Sequence, residues 1–362
     1  MTADVNQPSG DRPPAWVGNP RDRAWVAPPP DPRPREFHRR LPGYLPTPLT
    51  DVPALAARLG VGRLFVKDES ERLGLPAFKA LGASWAVHRA VAQHGGAEPL
   101  TIVTATDGNH GRAIARFARP AGHAATIFVP DGVHPAAIEA IRDEGAEVVD
   151  VAGSYDAAVA AAAARGATPA HVLVQDTAWD GYTEIPGWIV DGYATLFAEL
   201  DEQLAAAGVT EPTLVVVPTG VGSLLQAALT HYRQPGRQAT AVVSVEPVNA
   251  ACVSASVAAG RPTAVPTGVT SMAGLNCGTV SAIAWPAIAA GLDAALVTDD
   301  ASCAAAVAEL AALGIDAGPC GAAGLAALRE ALDTGFGEQV TLGRAATVVL
   351  LVTEGSAANP NR

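Results

Sequence analysis

EPTLVVVPTGVGSLLQAALTHY, residues 211–232, moves from a strand through a glycine turn into a helix. Leu214 to Pro218 is a continuous apolar, β-branched run of strand length. Such a run suits a strand buried on both faces, as in a parallel sheet. The pattern from Leu224 to Tyr232 then reads as an apolar helix. Between them, TGVGS (219–223) aims unpaired backbone N–H groups and the positive end of a helix at one point, where an anion is stabilised. Thr219 and Ser223 can add hydroxyl donors. No GKS or GKT follows and the spacing is not GxGxxG, so the turn is neither a Walker A loop nor a dinucleotide fingerprint. Taken alone, it reads equally well as a tight strand-to-helix connection.

The same alternation extends in both directions. Upstream lie strands at 63–67, 100–106, 124–130, 147–153 and 171–176, with helices at 52–59, from the Lys79 region to about 93, from Arg112 to Pro120, 135–145 and 155–166, and one from near Ile189 to about 206. Thr50 and Asp51 are candidate caps for the first helix and Gly60 its stop. Downstream come strands at 241–247, ALVTDD and ATVVLLVTEG, with helices ending near Gly260 and over 281–290, 301–313 and, after a GPCG turn, 321–332. Strand and helix in alternation predict an α/β fold with open parallel sheets covered by helices. The expected division is a large domain, 41–91 plus 213–362, and a small one, 92–212. Residues 1–40, with PPPDPRPR at 28–35, read as an extended or disordered arm able to wrap a neighbouring subunit.

Composition narrows the function. With 362 residues, 49% of them apolar, the chain has ample core material, and its net charge of -12 comes without a Lys/Arg cluster. Nucleic acid and anionic membranes are therefore poor partners. No uninterrupted apolar run is long enough to span a bilayer, and the N-terminus lacks a secretory pattern, so a cytoplasmic location is expected. Four dispersed cysteines suit neither a disulfide scaffold nor a metal site, and no metal is expected.

Two further stretches carry chemistry. In PAFKALGAS (76–84), Lys79 follows Phe78 at the head of an apolar helix. Partial desolvation there disfavours the ammonium and leaves an amine able to attack a carbonyl, although a lysine at a helix start is ordinarily a solvated side chain. TDGNHG (106–111) joins a buried strand to a helix, at the end of the sheet where α/β folds bind ligands. Asp107 there can accept a proton or pair with a substrate ammonium. It can also simply cap the helix from Arg112.

Together these motifs carry a resemblance. A lysine in FKxxGA, an [ST]xGNHG loop about 30 residues later, a glycine turn about 140 residues after the lysine and a last strand ending in Thr-Glu-Gly are similar to the tryptophan synthase β type (fold type II) of pyridoxal phosphate enzymes. The likeness covers nearly all of the chain after residue 40. VKDESERLGLPAFKALGAS, ATDGNHGRAIA, QDTAWDGYTEIPGWIVDGY, VPTGVGS, VEP and SMAGLNCG further resemble the diaminopropionate ammonia-lyase family.

The resemblance implies a two-domain fold type II enzyme, generally a homodimer, acting on a small amino acid. It implies that Lys79 holds pyridoxal 5'-phosphate covalently beside Phe78, that Gly220, Val221, Gly222 and Ser223 bind its phosphate, that Asn109 bonds the ring's 3'-oxygen and that Thr353 faces the ring nitrogen. Thr106, Asp107, Gly108, His110 and Asp176 would contact substrate. Lys79, Asp107 and Asp176 would be the catalytic groups: Lys79 takes the Cα proton of one enantiomer, Asp107 that of the other, and Asp176 binds the β-ammonium. The implied reaction is α,β-elimination of 2,3-diaminopropionate to pyruvate and ammonia.

A dehydratase or β-eliminating lyase on serine, threonine or another β-substituted alanine is the alternative, and a catalytically silent binding protein a third. Two departures bear on the choice. GPCGAAG (318–324) stands where relatives tend to have a loop with an acid, and TEGSAANP lacks an aspartate often found after Thr-Glu-Gly. Cys252 and Cys277 read as independent thiols near the site entrance, and Glu246 as an acid behind the site. Trp179, Tyr182 and Trp188 read either as a lid or as helix packing.

Overall fold

Apolar runs that read as strands in the sequence pair into two sheets in a computed structural model, which describes residues 13–95 and 98–358. The strands are β1 (Trp16–Gly18), β2 (Leu49–Asp51), β3 (Arg63–Asp68), β4 (Thr101–Ala105), β5 (Ala124–Pro130), β6 (Glu147–Val151), β7 (His171–Leu173), β8 (Leu214–Pro218), β9 (Ala241–Pro247), β10 (Ala294–Thr298) and β11 (Thr347–Val352). Seven of them form one sheet in the order β1-β10-β9-β8-β11-β3-β2, and four form another in the order β6-β5-β4-β7. The four-stranded sheet is parallel throughout. The seven-stranded one has five parallel strands between antiparallel edges at β1 and β2. All five residues of β8 are buried, as expected for a strand covered by helices on both faces. The carboxyl ends of β8, β11 and β4 lead into 219–223, Thr353 and 106–108, so the three motif segments meet at one cleft.

The helix Lys79–His94 lies against Glu184–Ala206 at unusually close range. A Cβ on Gly192 would fall 2.7 Å from the Leu81 carbonyl oxygen, and one on Gly82 would fall 2.6 Å from Tyr193 Cε1. Glu184–Ala206 lies within the stretch expected to be the small domain, yet it also carries a charge network shared with the seven-stranded sheet. Glu199 accepts from Lys67 Nζ (2.9 Å), Tyr44 Oη (2.7 Å) and both terminal nitrogens of Arg72 (2.7 Å each), and Arg72 also bonds Glu69. The side chains of Lys67, Arg72, Glu69 and Glu199 are fully buried. Burial pushes the Glu199 carboxyl up, but Arg72 and Lys67 outweigh it and hold it at about 2. Its stabilising contribution is present in full above the ordinary value of 4.5 and is lost as pH falls toward 2. Glu199→Gln is expected to cost about 3–5 kcal/mol in urea unfolding at pH 7, because Lys67 stays buried without its ion-pair partner and Arg72 keeps only Glu69. The gap between variant and wild type should narrow on acidification.

Several sequence expectations are corrected. Residues 13–40 are not a free arm; the part of that expectation on residues 1–12 lies outside the described residues. β1 pairs with β10, Trp16 packs edge-on against Phe336 at 5.7 Å, Asn19 Nδ2 donates to the Leu292 carbonyl, and His38 is buried between Thr195 Oγ1 and the Leu81 carbonyl. Trp16, Trp25 and Phe37 supply the apolar area that the proline-rich composition concealed. Thr50 and Asp51 belong to β2, so the helix Pro53–Leu59 starts after Val52 without a side-chain cap. Glu184–Ala206 starts five residues before Ile189. GPCG is the start of the helix Pro319–Leu332 rather than a turn. Residues 281–284 stay outside the helix Trp285–Gly291 because the Ser281 N–H donates to Val221 and its hydroxyl accepts from Ala178 N–H.

Candidate active site

The cleft between the sheets encloses about 850 Å³ free of protein atoms, part of it open to solvent. Every site residue named from the sequence lines it: Phe78 and Lys79 at the head of one helix, Thr106 to His110 after β4, Asp176 after β7, Gly220 to Ser223 after β8, and Thr353 after β11.

Lys79 Nζ lies 2.6 Å from Asp176 Oδ2 and 5.3 Å from the centre of the Phe78 ring, which packs on Tyr193. Desolvation alone would favour the neutral amine expected from the sequence. Asp176 overturns that expectation: burial lowers the lysine's pKa, but the adjacent carboxylate raises it by more, and the net shift is upward. Burial likewise pushes Asp176 up, while Lys79 and His110 bring it down to about 2. The two side chains form an ion pair across the ordinary pH range.

The 106–111 loop is held by Thr106, whose hydroxyl accepts from the N–H groups of Gly108 and Gly111. Gly108 has φ 149°, a conformation reserved for glycine. Asp107 is not the helix cap: the helix is Asn109–Ala118, preceded by Gly108, with no side-chain cap. Asn109 Nδ2 donates to Glu354 Oε2 at 2.6 Å. His110 Nε2 donates to the Val174 carbonyl at 2.9 Å, and burial holds its pKa below the usual imidazole value.

The glycine turn has the form of an anion cradle. Among the described residues, the N–H groups of Gly220, Val221 and Gly222 make no hydrogen bond within the chain. A Cβ at Gly220 would stand 2.9 Å from the Gly274 carbonyl oxygen and 3.0 Å from Cys277 Sγ, and Gly222 has φ +102°. The hydroxyl protons of Thr219 and Ser223 are committed elsewhere, to the carbonyls of Val217 and Asp176. The cradle's donors are therefore backbone groups at the start of the helix Ser223–Tyr232. A phosphate-bearing aldehyde fits these residues: the turn takes its anion and Lys79 lies within the same cavity. Among the described residues no group of three or more His, Cys, Asp or Glu could hold a metal ion.

Sequence reasoning missed Tyr155, Glu354 and Cys320 on the cavity wall. Tyr155 stands at the start of an alanine-rich helix with no local signal, and its hydroxyl accepts from Gln175 Nε2 at 2.8 Å. Glu354 was visible within Thr-Glu-Gly, without a role. Cys277 lines the cavity, whereas Cys252 is buried beside it; both are free thiols. Glu246 is fully buried and accepts from Val253 N–H and Ser254, and burial pushes its carboxyl up to about 7. Trp179 stacks on Tyr182 at 4.4 Å and Trp188 packs under Arg89; neither tryptophan nor Tyr182 lines the cavity, which favours packing over a lid.

Residues 40–354 match the family of pyridoxal-phosphate dependent enzymes. The chain is 36% identical to a diaminopropionate ammonia-lyase of Salmonella typhimurium over 88% of this chain and 87% of that protein. The crystal structure of the Escherichia coli diaminopropionate ammonia lyase in complex with D-serine is similar at a TM-score of 0.89, with 31% identity and 94% of each chain covered. The same enzyme in complex with an aminoacrylate reaction intermediate gives a TM-score of 0.86 at 32% identity, again over 94% of each chain.

Proposed function

The chain belongs to the family of pyridoxal-phosphate dependent enzymes, and on that premise we propose that it converts 2,3-diaminopropionate and one water into pyruvate and two ammonia molecules. The observation that carries the choice of substrate is the second carboxylate. Asp176 is 6% exposed and ionised beside Lys79, in a cavity that also presents Asp107. A binding protein needs no such pair, and a neutral β-hydroxyl brings no charge that could replace Lys79 at that buried carboxylate.

The residues divide the work as follows. Gly220, Val221 and Gly222 grip the phosphate through backbone N–H groups, with Ser223 opening the helix behind them. Asn109 and Thr353 would face the ring's oxygen and nitrogen. Pyridoxal phosphate, when bound through Lys79, supplies the sink for the electron pair left at Cα. Asp176 receives the substrate's β-ammonium. Because the same carboxylate pairs with Lys79, the arriving cation replaces the lysine there, and the displaced ammonium gives its proton to solvent in the open part of the cleft. Lys79 then takes the Cα proton of one enantiomer from its side of the cavity. Asp107, on the wall formed by the four-stranded sheet, takes that of the other. Thr106 and Gly108 hold the loop that carries Asp107, and buried, neutral His110 closes the wall behind Asp176.

The proposal extends to a homodimer, as the resemblance implies, in the cytoplasm, as expected from the sequence, with the division at 41–91 plus 213–362 and 92–212. The described strands at 16–68 and 214–352 belong to one sheet and those at 101–173 to the other, which supports that division. Pyruvate release from D- and L-diaminopropionate, measured beside D- and L-serine, tests the substrate. kcat/KM for diaminopropionate should exceed that for serine by roughly 100-fold, since serine brings no cation to the buried carboxylate. Faster turnover of serine would favour the dehydratase reading.

A further inference from the structure

Glu354 has no part in the steps above, yet it is 2% exposed and lies on the cavity wall. Its Oε2 accepts the 2.6 Å hydrogen bond from Asn109 Nδ2, and its Oε1 accepts from the Cys320 backbone N–H at 3.2 Å. Cys320 is in the first turn of the helix Pro319–Leu332, where a negative charge is favoured. The neighbouring glycine makes room for this arrangement: a Cβ at Gly318 would stand 3.1 Å from Glu354 Oε1 and 2.7 Å from the Gly355 carbonyl oxygen. Residues 318–324 include no acid, and the carboxylate of Glu354 fills the space beside Gly318.

The position of Glu354 gives those bonds a consequence. It follows β11 of the seven-stranded sheet, and it bridges through its backbone to Ala77, two residues before Lys79. Asn109 opens a helix that follows β4 of the four-stranded sheet. One buried carboxylate thus joins the lysine segment, the start of the helix Pro319–Leu332 and the loop across the cleft. A carboxamide carries two N–H bonds, and Glu354 engages Asn109 on one of them.

We propose that Glu354 is a positioning residue for the cofactor ring, acting through Asn109: it orients the carboxamide so that the second N–H meets the ring's phenolic oxygen, and it fastens the 106–111 loop across the cavity. The proposal rests on the cofactor assignment under Proposed function. A charge-assisted bond of this kind sets orientation as well as adding strength. Glu354→Gln keeps the shape but can no longer accept at both ends.

The test is a double-variant cycle read by titrating cofactor-free protein with pyridoxal 5'-phosphate and by the visible spectrum of the loaded protein. If wild-type protein binds no pyridoxal phosphate, the functional reading fails before any variant is compared. Given wild-type binding, E354Q and N109A should each weaken it roughly 10-fold and move the visible band in the same direction, and the double variant should bind no more weakly than N109A. E354Q should melt like wild type when cofactor-free. Should it fail to fold, E354D, with the charge kept on a stem one methylene shorter, takes its place in the cycle. An unchanged affinity and spectrum, or losses that multiply in the double variant, would overturn the proposal.

Discussion

Lys79→Ala is expected to abolish covalent capture of pyridoxal phosphate and to lower kcat/KM for diaminopropionate by at least ~10,000-fold, since one substitution removes both the anchoring amine and a base. Circular dichroism should show the secondary structure retained, because Lys79 sits at a helix head and its methylenes are not core. One local change accompanies the loss. Without the cation 2.6 Å away, burial acts on Asp176 with less opposition and its carboxyl rises from about 2. Stability of the variant should therefore fall more at neutral pH than at pH 4, a trend that pH-resolved urea unfolding reads directly. Near-normal pyruvate production by the variant would remove Lys79 from the mechanism.

Asp107→Asn should separate the enantiomers. Lys79 and Asp107 line the cavity from different elements, Lys79 as the first residue of the helix Lys79–His94 and Asp107 from the loop after β4. On the proposed mechanism, protons on opposite faces of Cα meet different bases. The amide keeps the shape of the loop but cannot accept a proton, so turnover of the D-substrate should fall roughly 1,000-fold while the L-substrate changes only a few-fold. Steady-state pyruvate assays with each enantiomer check it. Equal losses for both would mean that Asp107 serves binding, and no loss for either would mean that it serves neither role.

The parts legible in the sequence are those set by local pattern. β8, the 219–223 turn and its helix appear where the apolar run, glycines and periodicity place them, because a strand buried on both faces and a helix behind it leave few alternatives. Asp107 and Gly220 stood out because loops at the carboxyl ends of parallel strands are where ligands bind, whereas Asn109 was singled out by the family resemblance. Contacts between residues far apart in the chain were illegible. Lys79 and Asp176 are 97 positions apart, so the protonation of the lysine could not be read from Phe78 and Ala80. Asn109 and Glu354 are 245 apart, which hid the partner of a residue whose importance was plain. Thr50 and Asp51 have good capping chemistry, yet pairing of β2 with β3 claimed their backbone. The N-terminal segment was misjudged by composition, since a few aromatic residues are enough to dock a proline-rich stretch on a sheet edge.

All of this depends on one amine forming a reversible bond to an aldehyde whose phosphate is held by the turn after β8. The direct measurement is to load the protein with pyridoxal phosphate, reduce it with borohydride and locate the cofactor by peptide mass spectrometry. The account predicts a visible band near about 410 nm that disappears on reduction, with the phosphopyridoxyl group on Lys79 alone. Modification at another lysine, or none with the band absent, would contradict it.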